Sequence, residues 1–181
     1  MIAAVEFVGP SRFSHFATEN DLENGILAGE AAGKRHLRAW VQVAAVSQTQ
    51  TGNTMSIFSG LFTELCKATH GIDIGKEIIY AHAGQVKIQA VTSNPRTMEG
   101  NRPTFVIMNE THHWLETNNG WEMSAVIKRN LRKNKRGGAR AMAITNAYDP
   151  SEFSVAQKRR ETWEDQEQGV AIKVGVLYDS L

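Results

Sequence analysis

The stretch Pro-Thr-Phe-Val-Ile-Met-Asn-Glu-Thr-His-His-Trp, residues 103–114, decides the fold prediction, because a continuous apolar run ends abruptly in polar side chains. A short run such as residues 105–108 is typical of a parallel strand that is covered on both faces. Open α/β sheets bind ligands beyond the carboxyl ends of such strands, where Asn109 and Glu110 lie here. A carboxylate at that point can orient a water molecule for attack on a phosphate, and its polar neighbour can hold the water shell of Mg²⁺.

The composition is that of an ordinary globular domain. The chain has 181 residues, of which 41% are hydrophobic and 22% are charged. No apolar run approaches the roughly 20 residues that span a bilayer, and no signal peptide is recognisable, so we expect a cytoplasmic protein without a membrane partner. A net charge of +1 gives no global reason to expect nucleic acid. The single cysteine, Cys66, is expected to be a small core residue.

Strand-like and helix-like segments alternate, which predicts an α/β fold with a mainly parallel sheet and flanking helices. Helices are predicted over residues 1–8, 54–67, 123–131 and 151–168, strands over residues 39–47, 105–108, 139–144 and 170–178, and a hairpin over residues 77–92. Residues 9–38 are predicted to form a polar connection, and residues 48–53 a polar loop. Two successive strands end in Asn109-Glu110 and Thr145-Asn146, and parallel pairing would place these polar tips side by side.

Four sequence segments, when their order and spacing are considered together, are fairly specific for one protein family. They are Glu99-Gly100-Asn101-Arg102-Pro103-Thr104-Phe105-Val106, Asn109-Glu110-Thr111-His112-His113-Trp114, Arg129-Asn130-Leu131 and Ile144-Thr145-Asn146-Ala147. Together they resemble the ATPase domain of the large terminase subunit of tailed double-stranded DNA bacteriophages, over most of the chain.

The resemblance implies an incomplete P-loop NTPase-like core of the additional-strand, conserved-glutamate type. Glu110 would be its catalytic Walker B glutamate, and Thr145-Asn146-Ala147 the coupling motif that links hydrolysis to movement. ATP and Mg²⁺ are the implied cofactors. The residues implied to bind them are Asn109, Thr145, Asn146 and Arg102, with Asn109 holding Mg²⁺ weakly through its amide oxygen or through water.

The implied function is ATP-driven translocation of double-stranded DNA into a procapsid, by a phage-encoded or prophage-encoded motor in the cytoplasm of a bacterial host. The implied partners are double-stranded DNA, the portal protein, the small terminase subunit and other copies of the chain in a ring.

The chain departs from the family's pattern in three ways. Asn109 stands where Walker B has its first acidic residue, which lowers the expected metal affinity. No G-x-x-x-x-G-K-[ST] motif occurs, so the phosphate cradle is missing, and Gly33-Lys34-Arg35 is its nearest imitation. Residues 1–10 resemble the helix after the P-loop, and residues 169–181 resemble a last strand and the start of a linker toward a nuclease domain. We therefore expect residues 1–168 to be a partial ATPase domain, truncated on both sides and inactive alone.

Two other functions stay open. The missing cradle and Asn109 are compatible with a non-catalytic prophage remnant or interaction module. Glu110, His112 and His113 could instead form a metal-dependent hydrolase site, which is less favoured because adjacent histidines do not easily aim at one ion from the same helix face. Glu110 could also serve only to cap a helix.

Several basic and aromatic residues have both a structural and a functional interpretation. The basic run at residues 128–136 either contacts DNA phosphates or, as we favour, forms a solvated helix end. Arg96 and Arg102 flank the central strand and either sense a phosphate, act as arginine fingers on a neighbouring subunit, or are solvated surface residues. Trp114 and Trp121 are expected to pack rather than to stack on bases.

Overall fold

The computed structural model describes residues 1–92, 94–134, 138–172 and 177–179. The helices are α1 (Ile2–Val8), α2 (Gln48–Leu61), α3 (Glu64–His70), α4 (Pro95–Met98), α5 (Gly120–Arg132) and α6 (Val155–Glu167). The strands are β1 (Arg12–Phe16), β2 (Ala31–Lys34), β3 (Trp40–Ala44), β4 (Asp73–Ile74), β5 (Ile78–Ala81), β6 (Val86–Val91), β7 (Phe105–Asn109) and β8 (Arg140–Ile144). Within these ranges no helix is long and apolar enough to cross a membrane.

Six strands form one sheet in the order β4-β5-β6-β3-β7-β8. β6, β3, β7 and β8 are parallel, whereas β4 and β5 extend the sheet in antiparallel fashion. The prediction of an α/β fold with a mainly parallel sheet is therefore confirmed. The predicted hairpin is also confirmed, because β5 and β6 are antiparallel neighbours.

Helices cover both faces of the central strand β7. Phe105 and Ile107 point into a core that α1 and α2 complete with residues such as Phe7 and Phe58. Val106 and Met108 point to the other face, into a core that includes α5. Burying one large apolar side chain contributes roughly 1.5–3 kcal/mol, so this two-sided burial accounts for the continuous apolar run in the sequence.

The predicted helix over residues 54–67 is wrong in its start and in its continuity. α2 begins at Gln48, directly after Ser47, so the predicted polar loop at residues 48–53 is also wrong. Polar side chains fit this helix because Thr51 donates a hydrogen bond to the Gln48 carbonyl oxygen. α2 ends before Phe62, and the Thr63 side chain then caps α3 by accepting from the backbone N–H of Cys66.

Residues 9–38 contain a feature that the sequence prediction missed. β1 and β2 pair in antiparallel fashion outside the main sheet. Gly33, which belongs to the segment most similar to a phosphate-binding loop, lies within β2. A Cβ on Gly33 would lie 2.3 Å from the carbonyl oxygen of Pro10, so this glycine permits a close backbone approach.

The described residues cover the last predicted strand only in part. Of the strand predicted over residues 170–178, residues 173–176 lie outside the described residues. The described residues 170–172 and 177–178 are not strand. The helix predicted before it is confirmed as α6.

Glu6 links α1 to the β1–β2 hairpin and to β8. Glu6 is 4% exposed, and Arg12 Nη1 lies 2.9 Å from its Oε2 atom. The Arg140 guanidinium contacts the other carboxylate oxygen. Removing one partner from a desolvated ion pair leaves uncompensated charge, so we expect this cluster to matter for stability.

Replacing Glu6 by Gln should lower the free energy of unfolding by about 2–3 kcal/mol, because Arg12 and Arg140 both lose their charge partner. Urea denaturation of the chain measures this value. Glu99→Gln is the matched control, because Glu99 and Arg129 form an exposed pair worth about 0–1 kcal/mol. Equal losses in the two variants would contradict the role assigned to Glu6.

Candidate functional site

The strands β7 and β8 end at the same edge of the sheet. Their register aligns Phe105 with Arg140 and Asn109 with Ile144. The next residues along the two strands are therefore Glu110 and Thr145. The prediction that the two polar tips lie side by side is confirmed.

Glu110 leaves β7 in a left-handed backbone conformation, with φ 56° and ψ 51°. For a residue with a Cβ this conformation costs roughly 1–2 kcal/mol, and such strain is concentrated at functional sites. The Glu110 side chain makes no capping hydrogen bond to the 3₁₀ turn Thr111–His113 that follows. The helix-capping explanation of this carboxylate is therefore unsupported. Its side chain is 29% exposed, which lets water reach it.

Glu110 lies in a polar cluster that joins the two strand tips. The Asn146 side-chain amide donates to Glu110 Oε2 at 3.4 Å, and His112 Nε2 lies 3.4 Å from the same oxygen. His112 reaches back to Thr145 through its backbone N–H and its Nδ1 atom. The structure thus brings together Glu110, Thr145 and Asn146, as the sequence predicted, and adds His112.

The imidazole of His112 has a lowered pKa. Burial is the main cause, the neighbouring His113 acts in the same direction, and the carboxylates of Glu110 and Glu152 oppose it. A pKa below the usual value of about 6.5 keeps this ring neutral at pH 7.

Asn109 lies beside α2, whereas Arg102 lies far from Glu110. The Asn109 side-chain amide donates to Thr54 Oγ1 at 3.4 Å, and no described residue donates to its amide oxygen. Thr54 was not recognised as a site residue from the sequence, because nothing local marks it. Arg102 is exposed and precedes β7. The five residues of β7 span roughly 17 Å at about 3.3 Å per residue, and Arg102 lies before their start, so the structure does not bring it to Glu110.

Trp114 holds the turn that carries Glu110. Its side chain is fully buried, and its Nε1–H donates to the Asn109 carbonyl oxygen at 2.9 Å. The Trp114 carbonyl accepts from the backbone N–H of Val155 at 2.9 Å, which joins the turn to α6. Gly120 lets α5 approach, because a Cβ there would lie 2.5 Å from the Trp114 Cα. The expectation that Trp114 is a packing residue is confirmed.

The basic run after residue 128 is described as far as Asn134. Within it, Arg129 pairs with Glu99, and Lys133 donates to the Asn130 side-chain oxygen. Lys135 and Arg136 lie outside the described residues. The DNA-contact hypothesis for this run stays a prediction.

Two proteins similar to this chain in sequence are phage proteins. No protein-family model matches the chain. It is 40% identical over 185 residues to the "Gene 13 protein" of Mycobacterium phage D29, and 39% identical over 185 residues to that of Mycobacterium phage L5. Each alignment covers 99% of this chain, and the chain spans 29% of the length of each relative.

The large terminase of bacteriophage HK97 has a similar structure. Its crystal structure superimposes with a TM-score of 0.62 at 11% sequence identity, covering 92% of this chain and 29% of that one. At this identity the likeness concerns the fold alone. The chain therefore shares the α/β fold of part of a phage large terminase.

Gly120→Ala should destabilise the chain by about 1–3 kcal/mol, because the added methyl group collides with the Trp114 backbone rather than with a flexible side chain. Gly60→Ala is the matched control. Gly60 is in α2 with nothing near its Cβ position, so alanine should raise stability there by about 0.5–1 kcal/mol. Urea denaturation of both variants checks the difference in sign. A stabilised Gly120→Ala variant would refute the close approach.

Glu110→Gly should leave stability unchanged or raise it by about 1 kcal/mol, because glycine adopts the left-handed conformation without strain. The comparison variant is Glu116→Gly, at an exposed residue without positive φ, where glycine should cost about 0.5–1 kcal/mol through backbone entropy. Thermal denaturation compares the two. A loss above about 1 kcal/mol for Glu110→Gly would mean that the carboxylate has a structural role.

Proposed function

We propose that this chain is part of a phage large terminase ATPase, the motor that uses ATP hydrolysis to move double-stranded DNA into a procapsid. The observation that carries the proposal is the position of Glu110. It is a solvent-accessible carboxylate, held in a strained backbone conformation at the shared edge of two parallel strands. Ligands of open α/β sheets bind at such an edge.

In this proposal Glu110 acts on the attacking water. Its carboxylate accepts a hydrogen bond from the water molecule and orients the oxygen toward the γ-phosphorus. A bond forms between that oxygen and phosphorus, a proton of the water passes to the Glu110 carboxylate, and the bond between phosphorus and the bridging oxygen breaks with its electron pair left on ADP. The products are ADP and inorganic phosphate.

The oxygen atoms near Glu110 suit Mg²⁺ that is held largely through water and phosphate. Mg²⁺ usually keeps several waters and takes one or two carboxylates together with substrate phosphates. Here Asn109 offers an amide oxygen to which no described residue donates, and the Glu110 carboxylate can accept from the water shell of the ion. When bound, Mg²⁺ neutralises charge on the phosphates. Asn109 would contribute weakly, through its neutral oxygen or through a water molecule.

The phosphate cradle has to come from other residues, since no P-loop motif occurs in the 181 residues. Within the described chain β8 has a partner strand only on its β7 side. Its other edge can pair with a further strand, which would end close to Glu110. We assign the phosphate-binding loop to the end of a strand in that position.

Coupling of ATP hydrolysis to movement would pass through the polar cluster that joins the tips of β7 and β8. Asn146 and His112 both contact the Glu110 carboxylate, and Thr145 contacts His112. A change at Glu110 during hydrolysis would therefore reach the tip of β8. Arg102 could serve only a nucleotide on a neighbouring copy in a ring. The portal protein, the small terminase subunit and DNA are the partners that this function requires.

Glu110→Gln in the full-length gene product should reduce ATP turnover by about 10²- to 10⁴-fold while ATP binding is retained, because the amide fills the same space but cannot accept the water proton. Phosphate release measures turnover, and calorimetric titration measures binding. Glu116→Gln, an exposed glutamate on the same turn region, is the control and should keep full turnover. Turnover that survives in Glu110→Gln would refute the assignment.

A further inference from the structure

The tip of β8 fixes the orientation of the His112 ring. The Thr145 hydroxyl accepts from the His112 backbone N–H at 3.1 Å and lies 3.2 Å from Nδ1. The Asn146 backbone N–H donates to the same Nδ1 atom at 3.3 Å. These contacts hold Nδ1 against β8 and turn Nε2 toward Glu110.

Nε2 faces a carboxylate. His112 Nε2 and Glu110 Oε2 are 3.4 Å apart. An ion bound between the two atoms would take the place of a proton there, since metal binding releases protons from its ligands. In a tetrahedral site with bonds of about 2.0–2.1 Å, two ligand atoms are separated by about 3.3–3.4 Å. The observed separation equals one edge of such a site.

His113 supplies a third donor. Its ring centroid lies 4.0 Å from that of His112, and ligand atoms of Glu110, His112 and His113 all lie within 4.8 Å of one another. The His113 side chain is exposed, so its ring has room to rotate. The sequence-based objection to adjacent histidines applies to one face of a helix, whereas in this 3₁₀ turn the two rings lie side by side.

We propose that Glu110, His112 and His113 bind a divalent transition-metal ion of the Zn²⁺ class, with solvent in the fourth position. With the ion on Nε2, the ring proton would lie on Nδ1, 3.2 Å from the Thr145 hydroxyl, which would then orient the His112 ring as second hydrogen bonds do for metal-binding histidines. Three protein ligands with an open position are typical of exchangeable or catalytic zinc sites.

The ion would inhibit the ATPase. A carboxylate oxygen bound to Zn²⁺ is no longer available to orient the attacking water, so occupancy of this site and water activation by Glu110 exclude each other. This consequence rests on the proposed function, whereas the binding of the ion does not.

Calorimetric titration of the 181-residue chain with Zn²⁺, in the absence of ATP, tests the site. We expect one ion per chain, loss of binding in the His112→Gln/His113→Gln double variant, and weakening by about 10- to 100-fold in Thr145→Val, which removes the hydroxyl that contacts His112 and leaves all three ligands in place. The matched control is His70→Gln/His82→Gln. These two rings lie 5.2 Å apart, and each has a buried nitrogen without a hydrogen-bond partner, so this pair is the competing place for a metal.

Absence of binding, binding that survives in His112→Gln/His113→Gln, or binding lost in the control variant would each overturn the proposal. If the double variant does not fold, X-ray absorption of the zinc-loaded wild-type chain decides. Two imidazole ligands support the site, and one or none refutes it. Because the titration contains no nucleotide, its failure leaves the ATPase proposal intact, and loss of the ATPase proposal leaves the metal site intact.

Discussion

The in-register parallel pairing of β7 between β3 and β8 is the constraint on which the site depends. At the start of β7, Thr104 is fixed to Trp40, whose backbone N–H donates to the Thr104 hydroxyl at 2.9 Å and whose carbonyl oxygen accepts from the Thr104 N–H at 2.8 Å. At the other end, the Trp114 indole holds the Asn109 carbonyl oxygen. The residues between are apolar on both faces, so alternation alone would not define their register. The polar anchors at both ends do, and they place Glu110 beside Thr145 and Asn146.

The sequence predicted the parts of the structure that depend on local pattern. A continuous apolar strand, helices with an apolar face and two polar strand tips all follow from periodicity, so β7, α5 and the meeting of Glu110 with Asn146 were predictable. Long-range and context-dependent features were not. Gln48 starts a helix although its neighbours are polar, and the β1–β2 pair has no clear alternation. Arg102 is close to Glu110 in the sequence, but the extended strand β7 lies between them, so the two residues are far apart in space.

The two proposals give Glu110 two kinds of chemistry at one position. Its backbone is strained, and its side chain is held by 3.4 Å contacts to Asn146 and His112. With a nucleotide and Mg²⁺ nearby, such a group would orient water. With an ion bound between it and His112, the same group would be one ligand of a transition-metal site. The two proposed states would compete for the same carboxylate.

The most direct test of the central claim is a crystal structure of the full-length gene product with Mg²⁺, ADP and beryllium fluoride, which imitates ATP before hydrolysis. The account predicts the fluoride group at the carboxyl ends of β7 and β8, with a water molecule within about 3.2 Å of the Glu110 carboxylate and in line with the beryllium atom. A nucleotide bound at another edge of the sheet, with Glu110 still turned toward His112 and Asn146 and remote from the fluoride group, would contradict it.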